Sequence, residues 1–186
     1  MTTQTTQTAP AALPDKARLF RSLHVPGRPV VLPNAWDVAS ARVVADAGAP
    51  AGGDDECGCR LVARPRRRRS PGPEDTLSRA VAYAAAGADG IFVLGALDAG
   101  TVERLVAGSP PLPVNVAVGP GTLSVAELAA AGVARVSAVS SIAEAAYGLA
   151  GRAARELLER GTAEELEGGA DYATLNALLL DTPQCR

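Results

Sequence analysis

The sequence predicts an α/β fold built on parallel strands, arranged as an open sheet or as a barrel. The central observation is a short β-branched run at Pro113–Val118, bounded by proline and glycine, which is typical of a buried parallel strand. A second observation is that alanine-rich helices stop at Gly87 and at Gly132, and that an apolar strand follows each stop within a few residues. Repeated helix-to-strand steps of this kind imply parallel strands joined by right-handed helical crossovers.

Length and composition indicate one domain with an aliphatic core. The chain has 186 residues, of which 47% are hydrophobic but only 3% aromatic, so alanine and aliphatic side chains must fill the interior. The net charge of −2 argues against a general nucleic-acid binder, and no apolar run approaches the roughly 20 residues that span a bilayer. The start lacks the features of a signal peptide, and three cysteines do not indicate a secreted disulfide framework. We therefore expect a cytoplasmic protein with no nucleic-acid and no membrane partner.

The first fifty residues follow one consistent pattern. Apolar residues at helical spacing predict a helix over 13–23, and Pro29–Pro33 is typical of a strand. Asp37 is placed as the N-cap of a helix that runs to Ala47 and stops at Gly48.

Residues 51–73 break this pattern. They have neither helical nor strand periodicity, and their charge changes from acidic to basic within a few residues, so they cannot supply a strand and a crossover helix. Regular structure resumes at Glu74. The helix predicted there carries an apolar stripe of Leu77, Ala80, Val81 and Ala84.

Later helix starts are marked by capping boxes. Three fit the pattern, namely Ser124 with Glu127, Ser141 with Glu144, and Thr162 with Glu165. A long helix is predicted over 142–160 and a last amphipathic helix over 172–180. The chain thus divides into a disordered tail at 1–12, a first strand–helix unit at 13–50, an irregular insert at 51–73, a second structured part at 74–180 and a tail at 181–186.

Several stretches, taken in order, carry a resemblance to a known family. They are Phe20–Gly27, Val31–Asp37 with Ala39–Arg42, Ala86–Asp89 with Phe92, Pro113–Val116 with Gly119–Gly121, and Gly132–Ser137. Together they resemble the isocitrate lyase/phosphoenolpyruvate mutase family, and more narrowly its small bacterial branch of carboxyvinyl-carboxyphosphonate-mutase-like proteins. The resemblance covers about residues 13–50 and 74–180, and its specificity lies in the ordered set rather than in any one motif.

The resemblance implies a TIM barrel, (β/α)₈, with its site at the carboxyl ends of the strands. It also implies a Mg²⁺-dependent enzyme that cleaves or rearranges C–C or P–C bonds of small 2-oxo-acid-like carboxylates through an enolate, whose charge the metal takes up. Family members often form tetramers or dimers that exchange the last helix. Residues 142–160 and 172–180 are therefore the candidate interface of a homo-oligomer.

The chain is too short for the whole barrel, which needs about 250 residues. By resemblance, strand 1 is present and strands 6, 7 and 8 correspond to Gly90–Leu94, Pro113–Ala117 and Ala134–Val139, whereas residues 51–73 replace strands 2–5. In the family the lost part holds the Asp/Glu metal ligands, the mobile loop with the acid/base and a substrate-binding arginine, and Leu94 stands where some members have an acidic residue. We therefore expect an incomplete TIM barrel that retains strand 1 and strands 6–8 with their helices, has no catalytic or metal-binding residue of its own and does not bind Mg²⁺. The insert itself has the character of an out-of-frame translation of GC-rich DNA joined to a deletion.

Asn115, the polar residue in the central predicted strand, is the leading candidate for contact with substrate. A buried carboxamide needs hydrogen-bond partners, so Asn115 is either a satisfied structural group or one that faces a ligand. Asn34, Trp36 and Asp37 lie where the first strand–helix loop would line the pocket. A helix N-cap is the alternative for Asp37, and a place in the core is the alternative for Trp36.

Other features also have a structural and a functional interpretation. The N–H groups of Gly119–Gly121 and the helix start at Ser140–Ser141 could hold a substrate anion, or serve only as turn and cap. Cys57 and Cys59 beside acidic residues suggest a metal, but a closed zinc site needs four ligands. Arg66–Arg69 is typical of a solvated charge run, and His24, which has no partner motif, of a structural residue.

Two functions from different classes remain open. The first is the family's Mg²⁺-dependent lyase or mutase, acting on a small carboxylate substrate but inactive in this chain. The second is a non-catalytic partial-barrel remnant that is inactive, poorly stable or reliant on self-association to cover its open sheet edges.

Overall fold

A computed structural model describes residues 13–49, 72–95 and 97–180. Helices and strands alternate along most of this range. In chain order the elements are α1 (Leu13–Ser22), β1 (Val30–Leu32), α2 (Val38–Asp46), α3 (Pro73–Ala85), β2 (Ile91–Val93), α4 (Ala99–Gly108), β3 (Val114–Ala117), α5 (Val125–Ala130), β4 (Arg135–Ser137), α6 (Ser141–Glu159), a 3₁₀ helix (Glu164–Leu166) and α7 (Tyr172–Leu180).

The four strands form one parallel sheet in the order β1-β4-β3-β2. This arrangement confirms the predicted α/β fold with parallel strands. β4 lies between β3 and β1, so the first and last strands of the chain are neighbours, with Val30 opposite Arg135 and Leu32 opposite Ser137. Among the described residues, β1 and β2 each pair with one strand only and are the edges of the sheet.

The two faces of the sheet differ in character because successive side chains of a strand point to opposite faces. One face packs on the helices and holds the main apolar core, which consists of Ala80, Ile91, Val93, Val102, Leu105, Val114, Val116, Leu128, Val133 and Val136. We call the opposite face the inner face. By alternation and register it carries Val30, Leu32, Phe92, Asn115, Ala117, Arg135 and Ser137.

Several predicted helix starts are confirmed. The side chain of Asp37 caps α2 by accepting the N–H of Ser40, whose hydroxyl in turn accepts the N–H of Asp37. Ser124 and Glu127 form the predicted capping box of α5. The apolar stripe of α3 is confirmed only in part, because Ala80 is buried whereas Val81 is 57% exposed.

The other two predicted capping boxes are wrong. Ser141 is already the first residue of α6, and its hydroxyl donates to the carbonyl of Val118 rather than capping the helix. The hydroxyl of Thr162 donates to the buried carboxylate of Glu156, at 2.6 Å, and the short 3₁₀ helix that follows is preceded by Ala163. In both cases a tertiary partner competes successfully for the hydroxyl that the local pattern assigned to a cap.

The last helix occupies the predicted residues, but its predicted amphipathic packing is wrong. No residue of α7 is buried, and Tyr172 and Leu180 are both 81% exposed. The helix lies against α2, where the guanidinium of Arg42 donates to the carbonyl of Leu178.

Some predictions concern residues outside those described. They are the tails at 1–12 and 181–186, the segment from 51 to 71, the cysteine pair Cys57 and Cys59, and the arginine run Arg66–Arg69. In the described part of the chain, no helix has both the length and the apolar character needed to cross a bilayer.

Candidate functional site

The carboxyl ends of all four strands lie along one edge of the sheet, because the strands are parallel. We call this edge the rim. Asn34 follows β1, Leu94 follows β2, Gly119 follows β3 and Val139 follows β4. The rim therefore brings together most of the side chains that the sequence marked as substrate-facing.

Asn34 links the first and last strands across the rim. Its Oδ1 accepts the backbone N–H of Val139 at 2.8 Å. Val139 has φ +52°, a left-handed conformation that is rare and strained for a β-branched residue. The side chain of Asn34 thus holds the β4–α6 turn in a conformation that its own sequence disfavours.

We expect Asn34→Ala to lower the free energy of unfolding by about 1 kcal/mol, since the neutral hydrogen bond that holds this turn is lost. Urea denaturation followed by circular dichroism would measure the change. Asn176→Ala on α7 is the matched control, because Asn176 has intermediate burial on a helix with no buried residue. An equal loss in the two variants would contradict the role assigned to Asn34.

Trp36 and Asp37 lie on the first strand–helix loop, as predicted. Trp36 is 40% exposed and its ring lies 6.1 Å from that of Tyr147, so the alternative that placed it in the core is wrong. Asp37 is an exposed N-cap, and the backbone N–H and hydroxyl of Ser40 lower the pKa of its carboxyl. The N-cap interpretation of Asp37 is therefore confirmed.

Gly119 is required by close packing at the rim. A Cβ atom there would lie 2.7 Å from the hydroxyl oxygen of Ser141. The N–H of Gly119 donates to the Thr122 hydroxyl at 3.1 Å, and the Ser141 hydroxyl donates to Val118. The Gly119 N–H and the Ser141 hydroxyl, two of the candidate anion donors, are thus engaged within the protein.

Asn115 lies on the inner face of β3, below the rim, and is only 4% exposed. The Nε–H of Arg135 donates to Ser137 Oγ at 3.2 Å, and the Ser137 hydroxyl donates to Asn115 Oδ1 at 3.1 Å. Among the described residues, the buried Nδ2 of Asn115 has no hydrogen-bond partner. Asn115 is therefore not the fully satisfied structural group of the first alternative, because its Oδ1 has a partner and its Nδ2 has none among the described residues; that it faces a ligand stays a prediction.

Arg135 and Ser137 complete this inner-face cluster, and the sequence prediction did not single them out as functional. The Arg135 guanidinium carbon lies 5.8 Å from the centre of the Phe92 ring, within the range of a cation–π contact. The pKa of His24 is lowered, mainly by burial and further by the charge of Arg135, against a raising contribution from its bond to the Phe20 carbonyl. Period-two alternation in Arg135–Ser137 was the signal that could have found the cluster, since it places both polar side chains on the face of Asn115.

The acidic side chains near the carboxyl ends of the strands do not form a Mg²⁺ site. Asp98 accepts the N–H and hydroxyl of Thr101 as the N-cap of α4, which lowers the pKa of its carboxyl, and Asp37 caps α2. Across the described ranges no three His, Cys, Asp or Glu residues come together as a metal-binding group. A Mg²⁺ centre needs several oxygen ligands from carboxylates and their neighbours. The described residues therefore do not fit the metal that the resemblance implies.

Comparison with known proteins decides the family. The family model described as phosphoenolpyruvate phosphomutase matches residues 20–53 and 61–158. The chain belongs to this family. The match confirms the predicted relationship to the phosphoenolpyruvate mutase/isocitrate lyase proteins, which are lyases and mutases. The second matched part begins at residue 61, whereas the resemblance found in the sequence resumes at residue 74. Residues 54–60 are not matched.

Individual proteins that are similar to this chain include two relatives from one species and a solved structure from another. Two uncharacterised proteins of Mycobacterium tuberculosis, from strains CDC 1551 and H37Rv, are each 41% identical over 106 residues, which is 57% of this chain. The aligned part is 39% of each relative, so the chain spans about two fifths of their length. A provisionally assigned phosphonomutase from Burkholderia cenocepacia is 26% identical, with a TM-score of 0.62, covering 80% of this chain and 99% of that one.

A second structure supports the fold alone. A provisionally assigned lyase/mutase from Burkholderia cenocepacia has a TM-score of 0.75 at 23% identity, covering 91% of this chain and 97% of that one. The phosphoenolpyruvate phosphomutase family and its structural neighbours thus agree with the parallel α/β architecture.

Proposed function

We propose that this chain is an incomplete TIM barrel from a family of Mg²⁺-dependent lyases and mutases. Their substrates would be small 2-oxo-acid-like carboxylates, in which a C–C or P–C bond is cleaved or rearranged. We further propose that the chain itself is catalytically inactive, because the segment that binds the metal is missing.

The observation that carries this proposal is the pairing of β1 with β4. In a closed eight-stranded barrel each strand pairs with the strands that precede and follow it in the chain, and the first strand closes the barrel by pairing with the eighth. Strands 1, 8, 7 and 6 are therefore neighbours in that order. The observed order β1-β4-β3-β2 matches strands 1, 8, 7 and 6 of such a barrel. Residues 33–90, fewer than sixty in all, separate β1 from β2, whereas five strand–helix steps of a full barrel would take about 150 residues.

The rim and the inner face would supply what remains of a substrate site. Asn34, Trp36, Asp37 and Gly119 lie at the rim, and Asn115 lies beneath it on the inner face. The substrate, where one is bound, would be a small carboxylate. Asp37 and Asp98, two carboxylates near the rim, cap helices, which supports the proposal that the chain lacks the acid or base of the family.

Turnover and ligand binding test the proposal directly. We expect the purified chain to release no pyruvate, with or without Mg²⁺, from small carboxylates that contain a 2-oxo acid linked through a C–C or P–C bond. Isothermal titration with Mg²⁺ and oxalate, an enolate mimic, is expected to show no tight complex. An oxaloacetate acetylhydrolase, a structural neighbour whose structure has been determined with oxalate, is the positive control for the titration. Mg²⁺-dependent turnover, or low-micromolar binding of oxalate that requires Mg²⁺, would overturn the inactive assignment.

The gene provides an independent test. We expect the DNA around codons 50 to 74, read in all three frames, to contain sequence typical of the absent strands and their acidic ligands. An uninterrupted reading frame with no such sequence would show that the short form is not a damaged copy of a longer gene.

Self-association is the second candidate function, and the surface of α6 and α7 favours it. Leu158 is 87% exposed, Tyr147 is 65% exposed and Tyr172 is 81% exposed, on the two helices predicted as an interface. In the described part of the chain, the two sheet edges also leave backbone groups open to a further strand. A second copy of this chain is the partner that would match both features.

Sedimentation equilibrium distinguishes self-association from a monomer. We expect a concentration-dependent dimer or larger assembly that Leu158→Glu on α6 weakens, since a charge on an apolar contact opposes its burial. Val125→Glu on α5 is the control for an added charge at a position that is 40% exposed. A monomer at all concentrations would exclude this function.

A further inference from the structure

We propose that two copies of this chain associate through α6, with the two helices packed antiparallel about a two-fold axis and Glu144 of each copy paired with Arg155 of the other. The proposal rests on the self-association described above as the second candidate function. It adds the orientation of the two copies and the residues that fix this orientation.

The outward side of α6 carries one narrow stripe of side chains. The helix has 19 residues, of which only Ala153 and Glu156 are buried. At 3.6 residues per turn, the side opposite these two carries five residues spaced at intervals of four, three, four and three, namely Glu144, Gly148, Gly151, Arg155 and Leu158. This outward stripe has the spacing of helices that pack on one another along a seam.

The two charges of the outward stripe have no ion-pair partner among the described residues. Arg152, which lies off the stripe, pairs with Glu165 of its own chain at 2.9 Å. Glu144 accepts the hydroxyl of Ser140 at 2.7 Å. Glu144 and Arg155 are 11 residues apart, which is about 16 Å along a helix, so they cannot pair with each other within one chain.

The outward stripe is complementary to itself. An acid, two glycines and a base follow at intervals of four, three and four, so the pattern is symmetric about the midpoint between Gly148 and Gly151. In a two-fold contact, when one residue meets a second, the second also meets the first. An antiparallel pair centred on this midpoint therefore joins Glu144 to Arg155 of the other copy twice. A parallel pair would instead place like charges against each other, which opposes association.

The two glycines allow close approach at the centre of this contact. A residue without a Cβ lets a second backbone come near, although glycine is unfavourable inside a helix. Neither Gly148 nor Gly151 adopts the positive φ for which glycine is otherwise needed. The nearest atoms to a Cβ built at these positions are guanidinium nitrogens of Arg152 and Arg155, at 3.7 and 3.8 Å, which are the ends of flexible side chains. Leu158, 87% exposed, adds apolar surface at the end of the stripe.

Charge reversal, followed by sedimentation equilibrium of the full chain, tests the pairing. Glu144→Arg and Arg155→Glu are each expected to weaken the dimer about tenfold or more, because each change puts like charges together at both ends of the contact. The double variant, which carries both changes, is expected to restore affinity to within about threefold of the natural chain. Since the two residues are too far apart to pair within one chain, such a restoration arises between copies.

Two further variants separate the contact from effects on folding. Glu103→Arg, at an exposed position of α4, makes the same charge change as Glu144→Arg and is expected to leave the dimer unchanged. Gly148→Gln strengthens the helix but puts a bulky side chain at the crossing, and it is expected to weaken the dimer about tenfold or more. This variant decides the question if loss of the Ser140 bond prevents Glu144→Arg from folding, as circular dichroism would show.

The outcomes distinguish this proposal from self-association in general. A chain that is monomeric at all concentrations overturns both. A dimer that Leu158→Glu weakens, but that is indifferent to Gly148→Gln and to both charge reversals, overturns only the antiparallel α6 contact. A double variant that associates as weakly as the single ones overturns the pairing of Glu144 with Arg155.

Discussion

Leu128→Ala is expected to lower the free energy of unfolding by about 2–5 kcal/mol, the range for deleting a fully buried leucine. Leu128 is 1% exposed and lies in the apolar cluster between the helices and one face of the sheet. The cluster is mostly valine and alanine, whose short, stiff side chains cannot swing into the cavity that the substitution leaves. Since whole domains are stable by only about 5–15 kcal/mol, this one change is expected to remove a large part of the total.

Urea denaturation measures this loss by two independent signals. Circular dichroism reports the helices, and fluorescence reports Trp36, the only tryptophan in the chain. Coincident transitions would show that the helix-side core and the rim unfold together. Leu19→Ala on α1 is the matched control, because it deletes the same atoms at a position that is 65% exposed. A loss for Leu128→Ala within about 0.5 kcal/mol of the control would show that this core does not hold the sheet together.

Much of the fold could be predicted from short-range signals. Helices end where Gly48, Gly87 and Gly132 adopt positive φ values of 87°, 88° and 85°, a conformation that glycine reaches without the steric cost other residues bear. Asp37 and Ser124 cap their helices as the sequence indicated, because each capping bond joins residues only three apart. Such features depend on local chemistry that the sequence displays directly.

Features that depend on distant partners could not be predicted in the same way. The hydroxyl of Ser141 fits a capping pattern, yet it bonds to the carbonyl of Val118, 23 positions away, and even the Thr162 hydroxyl bonds beyond the capping span, to Glu156. Asn34 was predicted at the rim, but its bond to Val139 joins residues 105 positions apart and has no local signature. The polar cluster of Asn115, Ser137 and Arg135 likewise requires the register between two strands. The sequence could suggest the substrate-facing residues individually but not their hydrogen-bond partners.

Glu156→Gln is expected to destabilise the protein clearly more than the same change at the exposed Glu159. Glu156 is 2% exposed, and its carboxylate accepts three hydrogen bonds, from the Thr162 hydroxyl at 2.6 Å and from the N–H groups of Glu164 and Glu165 at 2.9 and 2.8 Å. These bonds attach the 3₁₀ helix to α6 and satisfy its leading N–H groups. A glutamine amide placed at this site would point its own N–H groups at donors, because a carboxylate accepts on both oxygens and an amide on only one.

The destabilisation by Glu156→Gln is expected to depend on pH. The Thr162 hydroxyl, the N–H groups of Glu165 and Glu164 and the charge of Arg160 together lower the pKa of Glu156 in the folded state, against the opposing effect of burial. A carboxyl whose folded pKa is lowered contributes stability that is fully present above the unfolded pKa of about 4.3 and lost as pH falls through the folded pKa. The difference in unfolding free energy between the natural chain and Glu156→Gln should therefore be largest near neutral pH and shrink below about pH 4.3.

Urea titrations at a series of pH values measure this difference. Because the natural chain and Glu156→Gln share all other carboxylates, the contributions of those carboxylates to the pH dependence cancel in the difference. Glu159→Gln, one turn away on the exposed surface of α6, is the matched control and is expected to change stability little at any pH. A difference that stays constant from neutral to acid pH would mean that Glu156 stabilises the α6 turn by packing alone. The hydrogen bonds of the Glu156 carboxylate would then not be what holds the 3₁₀ helix against α6.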